Sequence, residues 1–209
     1  MLLSTLGLFF YGASVLPKRK RDQENESLRV FCRAIELRFP GQKGISERLV
    51  SLSMATGQEL KLNSEDIRLV EMAALVRDIG LCAVPWKMLN RHQLEGWTAA
   101  EFATYDQRLI AGAAMLEKIP TLRHLAQTVR AIYQLSPSIG EPSRHSVPVP
   151  SMILGVVDRY LQIERLQGAE PARDMLNKES GSRYDPKVVE ALFRVLPQYN
   201  ANEKVEAFI

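Results

Sequence analysis

The side chains that most often bind metals or act as nucleophiles are few in this chain of 209 residues. They are His92, His124 and His145, with Cys32 and Cys82. No two histidines are spaced to chelate one ion, and the cysteines form no C-x-x-C pair, so we expect neither a zinc site nor a disulfide framework. We expect His92 and His145 to face solvent in loops and His124 to be partly buried in a helix. Both cysteines are predicted to be buried thiols of a reducing compartment.

The stretch MAALVRDIGLCAVP, residues 72–85, suggests a different chemistry. It places Asp78 on the C-terminal turn of an apolar helix, followed by Ile-Gly and then by Val-Pro. A carboxylate there could help to hold a divalent cation that activates water for hydrolysis. The preceding residue is Arg77, whose guanidinium is permanently charged and does not serve as an ordinary metal ligand.

The elements that must position these side chains are predicted to be helices. Apolar residues recur at helical spacing from Asp22 onward, and no useful stretch alternates with a period of two. Asn63 or Ser64 and Thr98 are good N-caps, and Pro186 occupies a permitted first-turn position. The predicted helices cover approximately 22–39, 46–59, 64–80, 98–119, 120–135, 151–166, 170–178 and 186–196. We therefore predict an all-α bundle of about seven to eight helices.

Several motifs, taken in order, give the sequence a likeness to a known family. They are ISERLV (45–50), MAALVRDIGLCAVP (72–85), RLIAG (108–112), TVRAIYQ (128–134), PVPSMILGVVDRYLQI (148–163) and GSRYDPKVVEAL (181–192). Their order and spacing resemble those of the HD-GYP family, a branch of the HD phosphohydrolases, over roughly residues 40 to 197. The resemblance implies an all-helical, HD-domain-like fold. It also implies hydrolysis of cyclic di-GMP with two or three divalent metal ions, such as iron or manganese, held by His and Asp.

Most of the ligand positions that the resemblance implies carry other residues. The histidines correspond to Ile45, Arg77, Arg108, Ile132 and Tyr133, and the following Glu corresponds to Gln134. Only Asp78 and Asp158 remain as recognisable ligands. The Gly-Tyr-Pro motif is absent, and Leu81 replaces the lysine that usually follows Asp-Ile-Gly. We therefore expect no catalytic residue, no metal and no cofactor.

Two carboxylates close together without a cation would raise each other's pKa. We infer that Arg108 reaches Asp78 or Asp158, so that ion pairs replace the metal, whereas Arg77 projects differently and its partner is open. The alternative places both arginines at the surface, with the cleft closed over apolar residues such as Ile45 and Ile132.

A second use of the arginines is also open. Arg77, Arg108, Tyr133 and Gln134 could form a pocket for a phosphate-bearing ligand, because guanidinium pairs well with phosphate oxygens. Tyr133 serves equally well as a core residue with its hydroxyl at the rim.

Composition and charge narrow the classes of partner. A net charge of +3, without a basic stripe containing aromatic residues, argues against binding to a nucleic acid polymer. Residues Leu2 to Leu16 are apolar and Lys18–Arg21 follow, which suggests either an anchor at the inner face of a membrane or a helix packed on protein. A helix over Leu2–Leu16 would be roughly 22 Å long, short of the ~30 Å hydrocarbon core. The predicted location is cytoplasmic in either case.

The sequence predicts four parts: an apolar segment with its basic flank (1–21), a connecting helix (22–40), a degenerate HD-GYP-like domain (41–197) and a tail (198–209). The leading hypothesis is an inactive domain that regulates or contacts a protein partner. One alternative is a divergent metal-dependent phosphodiesterase that acts on cyclic di-GMP or another phosphoester. Another is a non-hydrolysing sensor of a nucleotide such as a cyclic dinucleotide.

Overall fold

A computed structural model describes residues 15–38, 44–89, 97–140 and 146–206. The apolar segment as far as residue 14 lies outside these ranges, as do His92 and His145. Within the ranges, no helix combines the length and the apolar character that crossing a bilayer requires.

The described chain is built from helices joined by short turns, so the predicted all-α class is confirmed. The helices are α1 (Leu16–Arg38), α2 (Ile45–Glu59), α3 (Ser64–Val76), α4 (Trp86–Leu89), α5 (Ala99–Asp106), α6 (Arg108–Glu117), α7 (Arg123–Tyr133), α8 (Val149–Gln167), α9 (Ala169–Glu179) and α10 (Pro186–Glu206). A 3₁₀ segment, Arg77–Ala83, follows α3 directly.

Side-chain caps fix the starts of two helices where the sequence predicted them. The Asn63 side chain accepts a hydrogen bond from the backbone N–H of Asp66 and so begins α3. Thr98 and Glu101 cap α5 reciprocally, each side chain accepting from the other's backbone N–H. These bonds satisfy donors that have no partner within the helix.

Several helix boundaries differ from the sequence prediction. Helix α1 begins at Leu16, inside the segment predicted as apolar with a basic flank (1–21), rather than near Asp22. The helix expected to reach Gly80 ends at Val76 and gives way to the 3₁₀ segment. The helix expected to run from 98 to 119 is interrupted at Gln107, between α5 and α6. The last helix continues to Glu206 rather than ending at Leu196, although Pro197 removes one backbone donor from it.

Helix α8 lies at the centre of the bundle, and α2, α3, α7, α9 and α10 all pack against it. Its residues from Pro150 to Val157 are buried, as are Tyr160, Leu161 and Ile163. Asp158 directly follows this buried run and is itself only partly buried. Helix α1 packs on α3 and on the 3₁₀ segment through Leu28, Cys32 and Ile35.

Two predicted burials are wrong. Cys32 is buried, and burial raises the pKa of its thiol, but Cys82 is exposed because it lies on the outer side of the 3₁₀ segment. His124 is exposed rather than partly buried, since its neighbours Leu125 and Ala126 form the inner face of α7. Trp97 is buried, whereas Trp86 is exposed.

Candidate functional site

Two glycines bring the 3₁₀ segment and α6 into backbone contact. A Cβ atom added to Gly80 would lie 1.8 Å from the carbonyl oxygen of Arg108 and 2.6 Å from the backbone nitrogen of Gly112. One added to Gly112 would lie 3.2 Å from the backbone nitrogen of Gly80. Gly80 permits this approach because it has no side chain, and a side chain at position 112 would force the neighbouring atoms to shift slightly. It places the beginning of the 3₁₀ segment, with Arg77 and Asp78, beside the first turn of α6, which carries Arg108.

Arg77, Asp78, Arg108 and Asp158 form one ion-pair cluster. Arg77 donates from Nε and Nη2 to the two Asp78 oxygens, at 3.0 and 2.6 Å, and from Nη1 to Oδ1 of Asp158 at 3.0 Å. Arg108 donates from Nε to Oδ1 of Asp78 at 3.1 Å and from Nη2 to Oδ2 of Asp158 at 2.9 Å. Every carboxylate oxygen of the pair thus accepts a charge-assisted hydrogen bond, the strong class of such bonds.

The cluster is removed from solvent. Arg77 is 1% exposed and Arg108 is 2% exposed, and Asp78 is also buried, while Asp158 lies nearer the surface. Burial alone would raise the pKa of Asp78, but Arg77 and Arg108 oppose it and hold this pKa at about 2, below its usual 3.8. For both arginines, burial acts to lower the pKa, but the neighbouring anionic groups raise it above the usual value. Asp78 and both arginines are therefore charged near neutral pH.

Two further side chains complete the surroundings of Arg108. Its guanidinium carbon lies 4.0 Å from the ring centroid of Tyr105, a cation–π contact. Its Nη1 lies 3.6 Å from a carboxylate oxygen of Asp106. Burial raises the pKa of the Tyr105 hydroxyl, which therefore stays protonated at neutral pH. Sequence reasoning missed Tyr105, although its place three residues before Arg108 on a helical face was an available signal.

A comparison with protein families agrees with this architecture. The family model of the HD domain matches residues 29–188, most of the chain. The chain belongs to the HD domain family. It is also similar to the cyclic di-GMP phosphodiesterase response regulator RpfG of Xanthomonas campestris pv. campestris (strain 8004). The two are 26% identical over 196 residues, which cover 83% of this chain and 48% of the relative. The chain therefore spans about half the length of that protein.

Four of the predicted site residues, Arg77, Asp78, Arg108 and Asp158, lie together in the ion-pair cluster. The other predicted site residues lie outside it. Ile45 is half-buried, Ile132 is buried, and each lines a different small cavity that also includes Asp158. The Tyr133 hydroxyl accepts a hydrogen bond from Nε2 of Gln107 at 2.6 Å. The exposed Gln134 accepts one from the Ser146 hydroxyl at 3.4 Å.

The structure shows which carboxylates the two arginines contact, a point that the sequence left open. Arg108 contacts Asp78 and Asp158 together, rather than one of them. Arg77 was expected to project elsewhere, but its long side chain folds back onto the adjacent Asp78 and reaches Asp158 as well. The alternative with both arginines at the surface is wrong, because both are almost fully buried.

The donor set of the cluster differs from that of a hydrolytic metal centre. Such a centre needs several free nitrogen or oxygen ligands and an open position for water. Here the two carboxylates already accept from guanidinium groups, and the two neighbouring cations would repel a metal ion. Across the described part of the HD domain, no three His, Cys, Asp or Glu side chains are grouped as metal ligands would be. The residues present therefore do not fit the metals that the family resemblance implies.

The ionisation of Asp78 should make the stability of the HD domain depend on pH. Its pKa is about 2 in the folded chain, below its usual 3.8, so its contribution is present above about pH 4 and is lost as pH falls toward 2. We expect about 1 kcal/mol of the free energy of unfolding to be lost through Asp78 between pH 5 and pH 3. Urea unfolding at both pH values measures the loss, and Asp78→Asn should lose less over the same interval. Equal losses in the two proteins would contradict a depressed pKa.

Proposed function

We propose that this HD domain is not a phosphodiesterase but a regulatory or protein-interaction module, in which an ion-pair cluster replaces the catalytic metal centre. The observation that carries the proposal is the occupation of both carboxylates. All four oxygens of Asp78 and Asp158 accept hydrogen bonds from Arg77 and Arg108.

Loading a divalent metal would require a large rearrangement. An ion placed between the carboxylates would have to displace two buried guanidinium groups, which cannot lose their charge at any ordinary pH. Each displaced arginine would then be a buried cation without its partner, a state that costs several kcal/mol. Exchange of a ligand at an exposed site leaves no buried charge unpaired and carries no comparable penalty. The buried cluster therefore opposes metal binding.

The space beside the cluster is also small. The cavity lined by Ile45, Arg77, Tyr105 and Asp158 has a volume of about 20 Å³, and the one lined by Ile132 and Asp158 about 30 Å³. Each holds about one water molecule, whereas small-molecule sites usually occupy roughly 300 Å³ or more. A phosphate bound to Arg77 or Arg108 would also have to replace an existing carboxylate contact.

Exposed apolar side chains on α1 support a role in contacting protein. Val30 and Leu37 are seven residues apart, and so lie on one helical face, and they are 67% and 72% exposed. Phe31, which follows Val30 in the chain, is also exposed, as is Trp86 at the start of α4. Large apolar side chains left in water on one face are typical of an interaction surface.

The relation to RpfG, which is named a cyclic di-GMP phosphodiesterase, favours a second candidate function. A domain that retains the fold could bind a cyclic dinucleotide without hydrolysing it, and so act as a sensor. Such a ligand would occupy a surface other than the closed cluster, because the cluster offers neither room nor free donors. Binding would stabilise the folded chain in proportion to ligand concentration.

A metal titration and a turnover assay on the full chain test the proposal. We expect no saturable binding of Mn²⁺ or Fe²⁺ at micromolar concentrations by calorimetry, and no product from cyclic di-GMP with either ion. Stoichiometric binding or turnover that is abolished by Asp78→Asn would establish the phosphodiesterase instead. Thermal stabilisation by cyclic di-GMP without product formation would favour the sensor.

A further inference from the structure

A larger cavity lies between α8, α5, α9 and the turn after α7. Its volume is about 340 Å³, within the usual range of small-molecule sites. Apolar side chains form most of its wall: Ala99, Phe102, Pro137, Ile163, Leu166 and Met175. The polar groups are few, and they are Asp106, Ser138, Arg159, Gln162 and Gln167. A mainly apolar cavity with a few polar groups is the usual form of a site for a small organic ligand.

Arg159 distinguishes this cavity from the ion-pair cluster. Its Nη1 donates to the side-chain oxygen of Gln162 at 2.9 Å, and its Nε is buried without any hydrogen-bond partner. Among the described residues, no carboxylate lies within ion-pairing distance of this guanidinium, whereas Arg77 and Arg108 are fully paired. The charge of the Arg159 guanidinium is thus not balanced by a carboxylate from the described residues, and an anion supplied by a ligand in the cavity would balance it.

The negative charge of Asp106, the one acidic group in the wall, is already partly balanced by its contacts. Asp106 accepts hydrogen bonds from the hydroxyls of Ser136 and Ser138 and lies 3.6 Å from Arg108. Its remaining charge still disfavours a ligand with two negative charges beside it. A wall with one arginine and one partly neutralised carboxylate therefore suits a monoanion.

The wall is held in place before any ligand binds. Arg183 donates from Nη1 to the carbonyl oxygen of Ser136 at 2.7 Å and from Nη2 to that of Gly140 at 3.2 Å. These bonds fix the turn that carries Pro137 and Ser138. A cavity that is already formed costs little ordering entropy on binding.

From this combination we propose that the cavity binds a small amphipathic carboxylate, with its anionic group on Arg159 and its aliphatic part against Phe102, Leu166 and Met175. Arg159 follows Asp158 directly on α8, and Asp106 joins the cavity to Arg108. A ligand here would thus lie next to the ion-pair cluster without entering it. The inference stands whether or not the domain hydrolyses phosphodiesters, because it uses none of the cluster's donors.

Calorimetry with decanoate below its micellar concentration tests the site on the full chain. We expect saturable binding to one site, weakened by at least about tenfold in Arg159→Gln, because a buried charge-assisted contact is lost. Decyl phosphate, which carries more charge, should bind more weakly than decanoate. The matched control is Arg194→Gln, which removes an exposed arginine outside the cavity and should leave the affinity unchanged.

A second variant keeps the test independent of Arg159. Leu166 is a half-buried residue of the apolar wall, so the larger side chain of Leu166→Trp should fill the apolar part of the cavity and abolish binding. Circular dichroism checks that this variant folds. The inference is overturned if decanoate shows no saturable binding, if Arg159→Gln and Leu166→Trp both bind like the unaltered chain, or if Arg194→Gln weakens binding as much as Arg159→Gln does.

Discussion

Replacing Arg108 by methionine should destabilise the HD domain by about 3–5 kcal/mol, the usual cost of removing one partner from a buried ion pair. Methionine keeps much of the aliphatic length but none of the donors. Asp78 and Asp158 would then share Arg77 alone, with Asp78 almost fully buried. The carboxylate of Asp78 has almost no access to water that could compensate the excess negative charge. Urea unfolding at pH 7 measures the change in the free energy of unfolding.

The matched control is Arg194→Met, the same substitution in an exposed setting. Arg194 pairs with Glu59 at 3.2 Å and with Glu190 at 3.5 Å, but its side chain is 64% exposed. Ion pairs of this kind contribute roughly 0–1 kcal/mol, so the control should lose less than about 1 kcal/mol. A similar loss in both variants would show that the buried cluster has no special energetic weight.

A double variant separates charge balance from the loss of packing. Arg108→Met combined with Asp78→Asn removes one positive and one negative charge, which leaves Arg77 paired with Asp158. The double variant should be more stable than the sum of the two single losses predicts, by about 1–3 kcal/mol. Additive losses, within about 0.5 kcal/mol, would contradict electrostatic coupling between Arg108 and Asp78.

The parts of the fold that sequence reasoning predicted are those governed by local rules. Helical periodicity gave the class, and the caps at Asn63 and Thr98 began two helices where their side chains satisfy backbone donors. The motif order also placed Asp78, Arg108 and Asp158 near one another. Each motif has a fixed position in the helical bundle of the family, so the order of the motifs predicts which residues lie close together. Local sequence pattern was not needed to predict these contacts.

What the sequence could not give depends on tertiary contact. The interruption at Gln107 and the end of α3 at Val76 occur where two segments pack backbone against backbone, which no periodicity encodes. The prediction for the direction of the Arg77 side chain was wrong for a related reason. Arg77 was expected to project in a different direction from the adjacent Asp78, but the three methylene groups of its side chain let the guanidinium turn back toward both carboxylates.

The cavity beside Arg159 shows the same limit. Its wall comes from helices α5, α8 and α9 and from the turn at Pro137, which are distant in sequence. Nothing in the local pattern marks Arg159 as differing from the other arginines of the chain. Arg159 differs because no carboxylate among the described residues pairs with its guanidinium. Such pairing depends on how the helices pack, which the local sequence does not show.

Substituting alanine for Gly80 should be as damaging as loss of Arg108, although it alters no charge. The added Cβ would lie 1.8 Å from the carbonyl oxygen of Arg108, a distance that backbone atoms cannot accept without moving. The 3₁₀ segment must therefore separate from α6, which also lengthens the contacts between Asp78 and Arg108. Overpacking costs typically 1–3 kcal/mol, and a backbone clash together with a weakened ion pair should bring the loss to about 3 kcal/mol or more.

Thermal unfolding measures this loss against a glycine that has room. We expect Gly80→Ala to lower the Tm by about 6–12 °C, since about 1 kcal/mol corresponds to 2–4 °C in a chain of this size. Gly140→Ala is the control, because no heavy atom lies within 4 Å of a Cβ added there and its backbone does not require glycine. Its Tm should stay within about 2 °C of the unaltered chain. If Gly80→Ala behaves like Gly140→Ala, the two segments are not in backbone contact, and the cluster must be held together by its ion pairs alone.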